Sequence, residues 1–203
     1  MTDITTVEQL DELYGPVHEA ARLKEIDHIN DHYRAYIEAA PLMAIASVGN
    51  EGLDCSPRGD PSGNFVRVID PKTLLIPDRP GNNRIDTLRN IVQDPRVALL
   101  FLLPGIGITM RVNGRATLTN DETLCASMAM NGKKPKLVIR VTADQVYFQC
   151  PKSIIRGKIW DPSNHIDPKT LPSVGTMVQD LEEAFDGDAF DRAYPERIKQ
   201  TIY

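Results

Sequence analysis

The chain has 203 residues with 28 Asp and Glu against 23 Lys and Arg, which gives a formal net charge of −5. This length fits one domain with decorated ends and is sufficient to bury a hydrophobic core. The acidic balance argues against a general nucleic-acid or anionic-membrane surface, and no apolar run approaches the roughly 20 residues of a membrane span.

The N-terminal sequence has neither a basic start nor an apolar signal core, so we predict that the protein is not exported. Its cysteines, Cys55, Cys125 and Cys150, are far apart and form no CxxC pair. A reduced cytoplasm is the simplest location for such a chain.

The first forty residues are predicted to be helical. Thr5 followed by Glu8 predicts a capping box at the start of a first helix, which Gly15-Pro16 ends. Apolar residues then recur at three- and four-residue spacing, which predicts an amphipathic helix from about Val17 to Ala39.

Strand patterns dominate the centre of the chain. The predicted strands are Leu42–Val48, Leu53–Ser56, Phe65–Ile69, Thr73–Ile76, Val97–Leu103, Thr109–Thr119 and Lys136–Cys150. Because Val97–Leu103 is apolar throughout, we expect both of its faces to be covered, by the long N-terminal helix or by a second subunit.

Helices are predicted at Arg84–Val92, at Asp121–Met130 with Asn120 as its cap, and at Val174–Phe185 in the Pro-rich last forty residues. Many short strands with few intervening helices favour a mainly β, α+β fold with an antiparallel sheet or closed barrel.

Two Arg-rich segments give the strongest functional signal. They are Ser56-Pro57-Arg58-Gly59-Asp60 and Ile76-Pro77-Asp78-Arg79-Pro80-Gly81-Asn82-Asn83-Arg84, both predicted to be turns. The second leads into a helix whose predicted apolar face holds Ile85, Leu88, Ile91 and Val92. Gly and Asn tolerate left-handed backbone, which lets successive N–H groups form an anion nest at a helix N-terminus. With Arg58, Arg79 and Arg84 as guanidinium donors, the pattern predicts a phosphate site.

Other interpretations of these charged residues stay open. Arg79 and Arg84 could form a surface ion-pair cluster with Asp78 and Asp86, and Arg58 could pair with Asp60. The chain has no GxGxxG or GxxxxGK[ST] motif, which disfavours kinases, GTPases and common NAD dehydrogenases. His28 and His32 have helical i,i+4 spacing but no third ligand nearby, so no metal site is predicted.

The two Arg-rich segments, followed by the Val97–Leu103 strand and by Arg111-Val112-Asn113-Gly114-Arg115-Ala116, resemble the pyridoxamine 5′-phosphate oxidase-related flavoproteins. More narrowly, they resemble the FMN-dependent branch of that family and not the vitamin B6 oxidase itself. The resemblance runs from about Pro41 to Trp160.

This resemblance implies an FMN-binding split β-barrel at residues 41–160. Residues 1–40 would form a helical segment packed on the barrel, and residues 161–203 a C-terminal extension with one helix. It also implies a homodimer that holds the flavin in a cleft between subunits.

The resemblance also implies residue roles. Arg58 and the turn that contains Arg79, Asn82, Asn83 and Arg84 would hold the phosphate and ribityl chain of FMN. Ser56 and Pro57 would line the flavin edge. A later segment with Lys152, Arg156 and Trp160 would reach the flavin region from the partner subunit.

The function implied is that of an FMN-dependent oxidoreductase whose partners are a small-molecule substrate or an electron donor. The flavin performs the redox chemistry in such enzymes, so no side-chain catalytic set is required. The chain has no His after His165 and lacks the C-terminal Arg/His motif of the vitamin B6 oxidases. The alternatives are a non-catalytic flavin-binding or flavin-sensing protein, and a barrel that binds another phosphorylated ligand.

Overall fold

In the computed structural model, which describes residues 3–202, seven strands form one antiparallel sheet with the order β2-β1-β5-β6-β7-β4-β3. The strands are β1 (Leu42–Gly49), β2 (Gly52–Gly59), β3 (Arg67–Asp70), β4 (Thr73–Pro77), β5 (Arg96–Leu102), β6 (Thr109–Thr119) and β7 (Val138–Gln149). Every predicted strand is present, because each carries a clear period-2 or continuous apolar pattern.

Residues 3–202 also contain eight α-helices, which are α1 (Val7–Leu13), α2 (Glu19–Leu23), α3 (Asp31–Ala39), α4 (Asp86–Gln93), α5 (Glu122–Ser127), α6 (Lys152–Gly157), α7 (Val174–Gln179) and α8 (Gly187–Thr201). Of these helices, α3 and α4 pack against the sheet. This arrangement confirms the predicted mainly β, α+β fold class. Within residues 3–202, no helix has the length and apolar character that a bilayer span requires.

The hydrophobic core lies between one face of the sheet and the helices α3 and α4. Alternate residues of the central strands point into it, including Ile45, Leu99, Phe101 and Val112, which are fully buried. From α4, Leu88 and Ile91 complete this core. Because α4 is packed against this core and contacts β2, the segment before it, residues 78–85, is positioned beside β2.

The predicted covering of β5 by the long N-terminal helix is wrong. Val97, Leu99 and Phe101 are buried, but Ala98 and Leu100 on the opposite face are only half-buried. Helix α3 packs instead against β3, β6 and β7.

The predicted helix from Val17 to Ala39 is also wrong, because the chain is interrupted between α2 and α3. Ile26 leaves the helical path and pairs with Val146 of β7 through two backbone hydrogen bonds of 3.0 and 2.7 Å. Asn30 then caps α3, since its side chain accepts from the Tyr33 N–H. At the start of α1, the capping box uses Thr6 and Gln9 in place of Thr5 and Glu8.

The C-terminal extension contains two helices where one was predicted. Helix α7 ends at Gln179, and α8 follows although it contains Pro195. The sequence pattern missed α8 because an internal proline removes a helical hydrogen bond and argues against a helix. Helix α5 is shorter than predicted, and its cap is Asp121 and not Asn120.

Candidate anion and cofactor site

One large cavity, about 1010 Å³ in volume, lies between β2, the segment before α4, the segment before β7 and the end of α8. Its size is at the upper end of the range for small-molecule sites. The lining residues are Asp54, Ser56, Pro57, Arg58, Asp78, Arg79, Pro80, Gly81, Asn82, Asn83, Arg84, Ile85, Asp86, Thr87, Lys133, Lys134, Pro135, Lys136, Gln200 and Thr201. Both Arg-rich segments therefore meet at one cavity.

The first Arg-rich segment is a strand and not the predicted turn. Ser56–Gly59 belongs to β2, where every residue opposes one of β1 in an unbroken antiparallel register. This pairing overrides the turn signal of Pro57 and Gly59. Every second residue of a strand points to the same face, so Asp54, Ser56 and Arg58 share the face of β2 beside α4.

Arg58 does not use all of its side-chain N–H donors within residues 3–202. Its Nη1 donates to Asp78 Oδ1 at 3.2 Å, which joins the two Arg-rich segments. Its Nε is buried and has no hydrogen-bond partner within residues 3–202. A buried, unsatisfied guanidinium N–H is costly, and this one belongs to a residue that lines the cavity.

Arg79 is held by the protein itself. Its Nε donates to Asp60 Oδ2 at 2.6 Å, and its Nη1 donates to the Met128 carbonyl at 2.8 Å. The Arg79 side chain is 13% exposed and that of Asp60 is 0% exposed. The acidic partners of Arg58 and Arg79 are thus exchanged relative to the ion pairs that the sequence suggested.

Arg84 is the most accessible of the three arginines. Its side chain is 76% exposed and donates from Nε to Asp86 Oδ2 at 2.8 Å. It lies before α4 and not within it, because the helix begins at Asp86. An exposed ion pair of this kind is weak, so the guanidinium can turn to a ligand at little cost.

The turn before α4 has left-handed backbone at Asn83, as the sequence predicted, and also at Ile85, which the sequence placed within the helix. Asn83 has a φ of 61° and Ile85 a φ of 53°. Ile85 is the N-cap of α4 and supplies no side-chain cap, so the first N–H groups of the helix lack that partner. The predicted apolar face of this helix is partly wrong, since Ile85 and Val92 are exposed while Thr87 is buried.

A hydroxyl cluster adjoins the arginines. Thr87 Oγ1 donates to Asp54 Oδ2 at 3.1 Å, and Ser56 Oγ lies 3.3 Å from the same oxygen and 3.2 Å from Thr87 Oγ1. Sequence analysis missed Asp54 and Thr87. The signal available for Asp54 was its position two residues before Ser56 on a strand, which places both side chains on one face.

A second missed group is the lysine loop, which we define as Lys133, Lys134 and Lys136. These residues follow α5 and precede β7, and all three line the cavity. The sequence offered a signal in the run Lys133-Lys134-Pro135-Lys136, which falls between a predicted helix and a predicted strand.

Burial raises the pKa of Asp78 above its ordinary value, and the nearby positive charges of Arg58 and Lys136 oppose that rise. Desolvation favours the neutral form of this carboxyl group, whereas its cationic neighbours favour the charged form.

The remaining sequence-predicted residues lie elsewhere. Lys152 and Arg156 are on α6, and Trp160 follows that helix and donates from Nε1 to the Ile106 carbonyl at 2.8 Å. None of these three lines the cavity of its own chain. Across residues 3–202, no group of three or more His, Cys, Asp or Glu side chains is arranged to hold a metal ion.

The structure is that of an α+β protein with a large cavity lined by arginines and lysines, and sequence comparison gives its family. The profile of the family described as pyridoxamine 5′-phosphate oxidase matches residues 29–150. The chain belongs to this family, in agreement with the resemblance carried by its Arg-rich segments. Residues 1–28 and 151–203 lie outside the match.

Several solved structures are similar at low sequence identity. HupZ of Group A Streptococcus is 18% identical, with 60% of this chain and 94% of that chain covered and a TM-score of 0.48. General stress protein 26 of Bacillus anthracis is 16% identical, with 56% and 88% covered and a TM-score of 0.43. No curated protein matches the chain.

The cavity residues fit FMN. Three features suit a phosphate group: Arg58 Nε, which has no partner within residues 3–202, the exposed Arg84, and the first N–H groups of α4, which have no side-chain cap. The hydroxyl cluster and the side-chain amides of Asn82 and Asn83 suit a polyol chain. A Cβ added to Gly81 would meet no atom within 4 Å, so the turn leaves open space beside these groups.

Proposed function

We propose that this protein binds FMN and acts as an FMN-dependent oxidoreductase. The observation that carries the proposal is the buried Arg58 Nε, which lacks a partner within the described residues and belongs to a cavity built from both Arg-rich segments. Family membership supports the choice of a flavin over other phosphorylated ligands.

Different residues of the chain would bind the phosphate and the ribityl chain of FMN. Arg58, Arg84 and the first N–H groups of α4 would bind the phosphate, while Ser56, Asn82 and Asn83 would bind the ribityl hydroxyls. Arg79 would act indirectly, because its ion pair with Asp60 fixes the turn before α4. Once bound, FMN supplies hydride or single-electron transfer at its ring system.

A homodimer is part of this proposal. The apolar sheet face, which we define by its outward residues, is half-buried or exposed within residues 3–202. It consists of Ala44, Ala46, Cys55, Pro57, Ala98, Leu100 and Leu102. Pro57 also lines the cavity, so this face is continuous with the site. A second copy packed here would bring its own Lys152, Arg156 and Trp160 towards the flavin.

A cytoplasmic location also belongs to the proposal. The three cysteines are free thiols, and Cys55 and Cys150 are exposed. Such thiols are most easily maintained in a reducing compartment.

The visible absorption spectrum of the purified protein is the first test. A flavin spectrum, followed by chromatography of the heat-released cofactor against FMN and FAD standards, should identify FMN. Recovery of FAD, haem or a deazaflavin would contradict the cofactor assignment.

Turnover needs a second measurement. Anaerobic addition of NADH or NADPH should bleach the flavin spectrum, and oxygen or an electron acceptor should restore it. A flavin that is bound but resists reduction by both donors and by added small-molecule substrates would favour the non-catalytic flavin-binding alternative.

A further inference from the structure

The hydroxyl cluster, which consists of Asp54, Ser56 and Thr87, joins two hydroxyl groups to one carboxylate oxygen. Thr87 Oγ1 donates to Asp54 Oδ2 at 3.1 Å. Ser56 Oγ donates to the same oxygen at 3.3 Å and lies 3.2 Å from Thr87 Oγ1. An ionised carboxylate has only acceptors, whereas each hydroxyl group has one proton and two lone pairs. Asp54 can therefore only receive protons from the two hydroxyl groups.

Both hydroxyl protons are used inside this cluster. Either both hydroxyl groups donate to Asp54, or one donates to the other, which then donates to Asp54. Hydrogen bonds to a charged acceptor are the stronger ones, so the protons favour these arrangements over pointing into the cavity. In each arrangement the group left for a ligand is a lone pair and not an O–H donor.

The accessible lone pair belongs to Ser56. Thr87 is only 1% exposed, and its hydroxyl group faces Asp54 of β2 from α4. Ser56 is half-buried and lines the cavity. A hydroxyl group that donates to a carboxylate is polarised, which strengthens it as an acceptor. Ser56 Oγ therefore presents an acceptor to the cavity.

An acceptor beside a carboxylate selects the chemistry of the ligand. Phosphate oxygens are acceptors, and a phosphate monoester carries about −1.5 to −2 charges at pH 7, so Asp54 repels it. A neutral hydroxyl group can donate to Ser56 Oγ and carries no charge. The hydroxyl cluster therefore favours an alcohol over a phosphate group at this end of the cavity.

The phosphate end of the cavity lies further along the same strand face. Arg58 follows Ser56 by two residues on β2, which places the two Cα atoms about 7 Å apart. The Arg58 Nε is buried without a partner within residues 3–202 and suits an anion. The unbroken register of β2 with β1 fixes this spacing. One strand face thus offers a donor for phosphate and, one step away, an acceptor for a hydroxyl group.

We infer that Asp54 is a positioning residue for the ribityl chain. It holds the Ser56 proton away from the cavity, so that Ser56 Oγ accepts a hydrogen bond from a ribityl hydroxyl group. The inference rests on the proposed function, since it takes FMN as the ligand. It adds the direction in which the ligand lies, with its phosphate at Arg58 and its polyol hydroxyl groups at Ser56.

The first test compares riboflavin with lumiflavin, which lacks the ribityl chain, by fluorescence titration of the flavin-free protein. Asp54→Ala should weaken riboflavin binding about fivefold and leave lumiflavin binding unchanged, because only the ribityl chain loses a hydrogen bond. Asp54→Asn should restore riboflavin binding, since an amide oxygen in the place of Oδ2 still accepts from both hydroxyl groups. The control is Asp144→Ala, because Asp144 is an exposed carboxylate on β7 that does not line the cavity.

A double-mutant cycle separates an indirect role of Asp54 from a direct contact with the ligand. Ser56→Ala should weaken riboflavin binding by a similar factor, and Asp54→Ala in the Ser56→Ala background should have no further effect. The cycle and the Asp54→Asn variant use riboflavin alone, so they decide the question even if lumiflavin binds too weakly to measure.

Three results would overturn the inference. Equal losses for riboflavin and lumiflavin would give Asp54 a general structural role. Additive losses in the cycle would mean that Asp54 acts independently of Ser56. Failure of Asp54→Asn to restore riboflavin binding would make the charge of Asp54, and not the orientation of the hydroxyl groups, the important property.

Failure of the proposed function gives a different result. If the wild type binds neither FMN nor riboflavin, ribitol 5-phosphate and inorganic phosphate are titrated by calorimetry instead. A loss of affinity in Asp54→Ala for ribitol 5-phosphate alone would support the positioning role without a flavin. An equal effect on both probes, no effect on either, or no binding by the wild type would overturn it.

Discussion

The three arginines of the two Arg-rich segments look equivalent in the sequence but differ in the structure. Arg79 is buried against Asp60 and the Met128 carbonyl, whereas Arg84 is largely exposed. Spacing alone could not separate a structural guanidinium from a ligand-binding one, because the difference depends on Met128, which is 49 residues away from Arg79 in the chain.

We expect Arg84→Ala to weaken FMN binding by more than about tenfold, since a charge-assisted bond to phosphate contributes roughly 1.5–3 kcal/mol. Riboflavin affinity should hardly change, because riboflavin has no phosphate. The free energy of unfolding should change by less than about 0.5 kcal/mol. Fluorescence titration with both flavins checks this result, and equal losses for the two would assign Arg84 a structural role.

Arg79→Ala, unlike Arg84→Ala, should lower the stability of the folded protein. It removes the guanidinium from a fully buried carboxylate, so the free energy of unfolding should fall by about 3 kcal/mol. Urea denaturation of the flavin-free protein measures this loss independently of any ligand. A change within about 0.5 kcal/mol would mean that the Asp60 pair does not fix the turn.

The ionisation of Asp78 should make stability depend on pH. Burial raises the pKa of this carboxyl group above 3.8 in the folded protein. Folding therefore favours the protonated form, and the stability that this gives is present below the unfolded pKa and lost as the pH rises through the folded pKa. As the pH rises from about 3.8 towards neutrality, the wild type should lose stability relative to Asp78→Asn.

Urea denaturation of both proteins at a series of pH values measures this difference. A wild type that gains stability over the variant in the same range would show that Arg58 lowers the pKa of Asp78 more than burial raises it.

At the scale of elements, local patterns predicted the sheet well and the connections less well. The alternation in Thr109–Thr119 predicted the limits of β6, because from Met110 to Ala116 the strand buries every second residue. Ser56–Gly59 was misread, since its pairing with β1 is a long-range contact that Pro57 and Gly59 conceal. Likewise the pairing of Ile26 with Val146 breaks a helix that local periodicity favours.

In the candidate site too, local patterns predicted one part and long-range pairing determines the other. The backbone preferences of Gly81, Asn82 and Asn83 predict the turn before α4. The contribution of the lysine loop depends on strand order, because the pairing of β4 with β7 brings residues 133–136 beside Asp78. No sequence pattern encodes that neighbourhood directly.

Helix α8 should depend on a close contact with α7. A Cβ added to Gly175 would lie 2.1 Å from the Gly187 carbonyl oxygen, so Gly175→Ala must separate the two helices. We expect faster hydrogen exchange and earlier proteolysis across residues 187–201, which include two that line the cavity. Gly15→Ala is the control, because a Cβ there meets no atom within 4 Å. Unchanged protection of α8 in Gly175→Ala would show that this contact does not hold the helix.

At the scale of the whole molecule, our proposal links assembly to cofactor binding through the apolar sheet face. Apolar surfaces that a chain leaves partly exposed can mark interaction sites, and the occupant we propose for this face is a second copy of the chain. Lys152, Arg156 and Trp160 do not line the cavity of their own chain, so the flavin contacts that we propose for them require a second chain.

Leu100→Glu should therefore convert a dimer into a monomer that releases flavin. The wild type should show about twice the 22.6 kDa chain mass in light scattering, and the variant a mass near that of one chain. The variant monomer should still fold, because Leu100 lies opposite Arg111 of β6 and a carboxylate there gains a cationic neighbour. Leu181→Glu is the control, since Leu181 is 88% exposed and lies outside the apolar sheet face. A wild-type monomer that keeps FMN at nanomolar concentration would mean that one chain builds the whole site, and the partner roles of Arg156 and Trp160 would then be wrong.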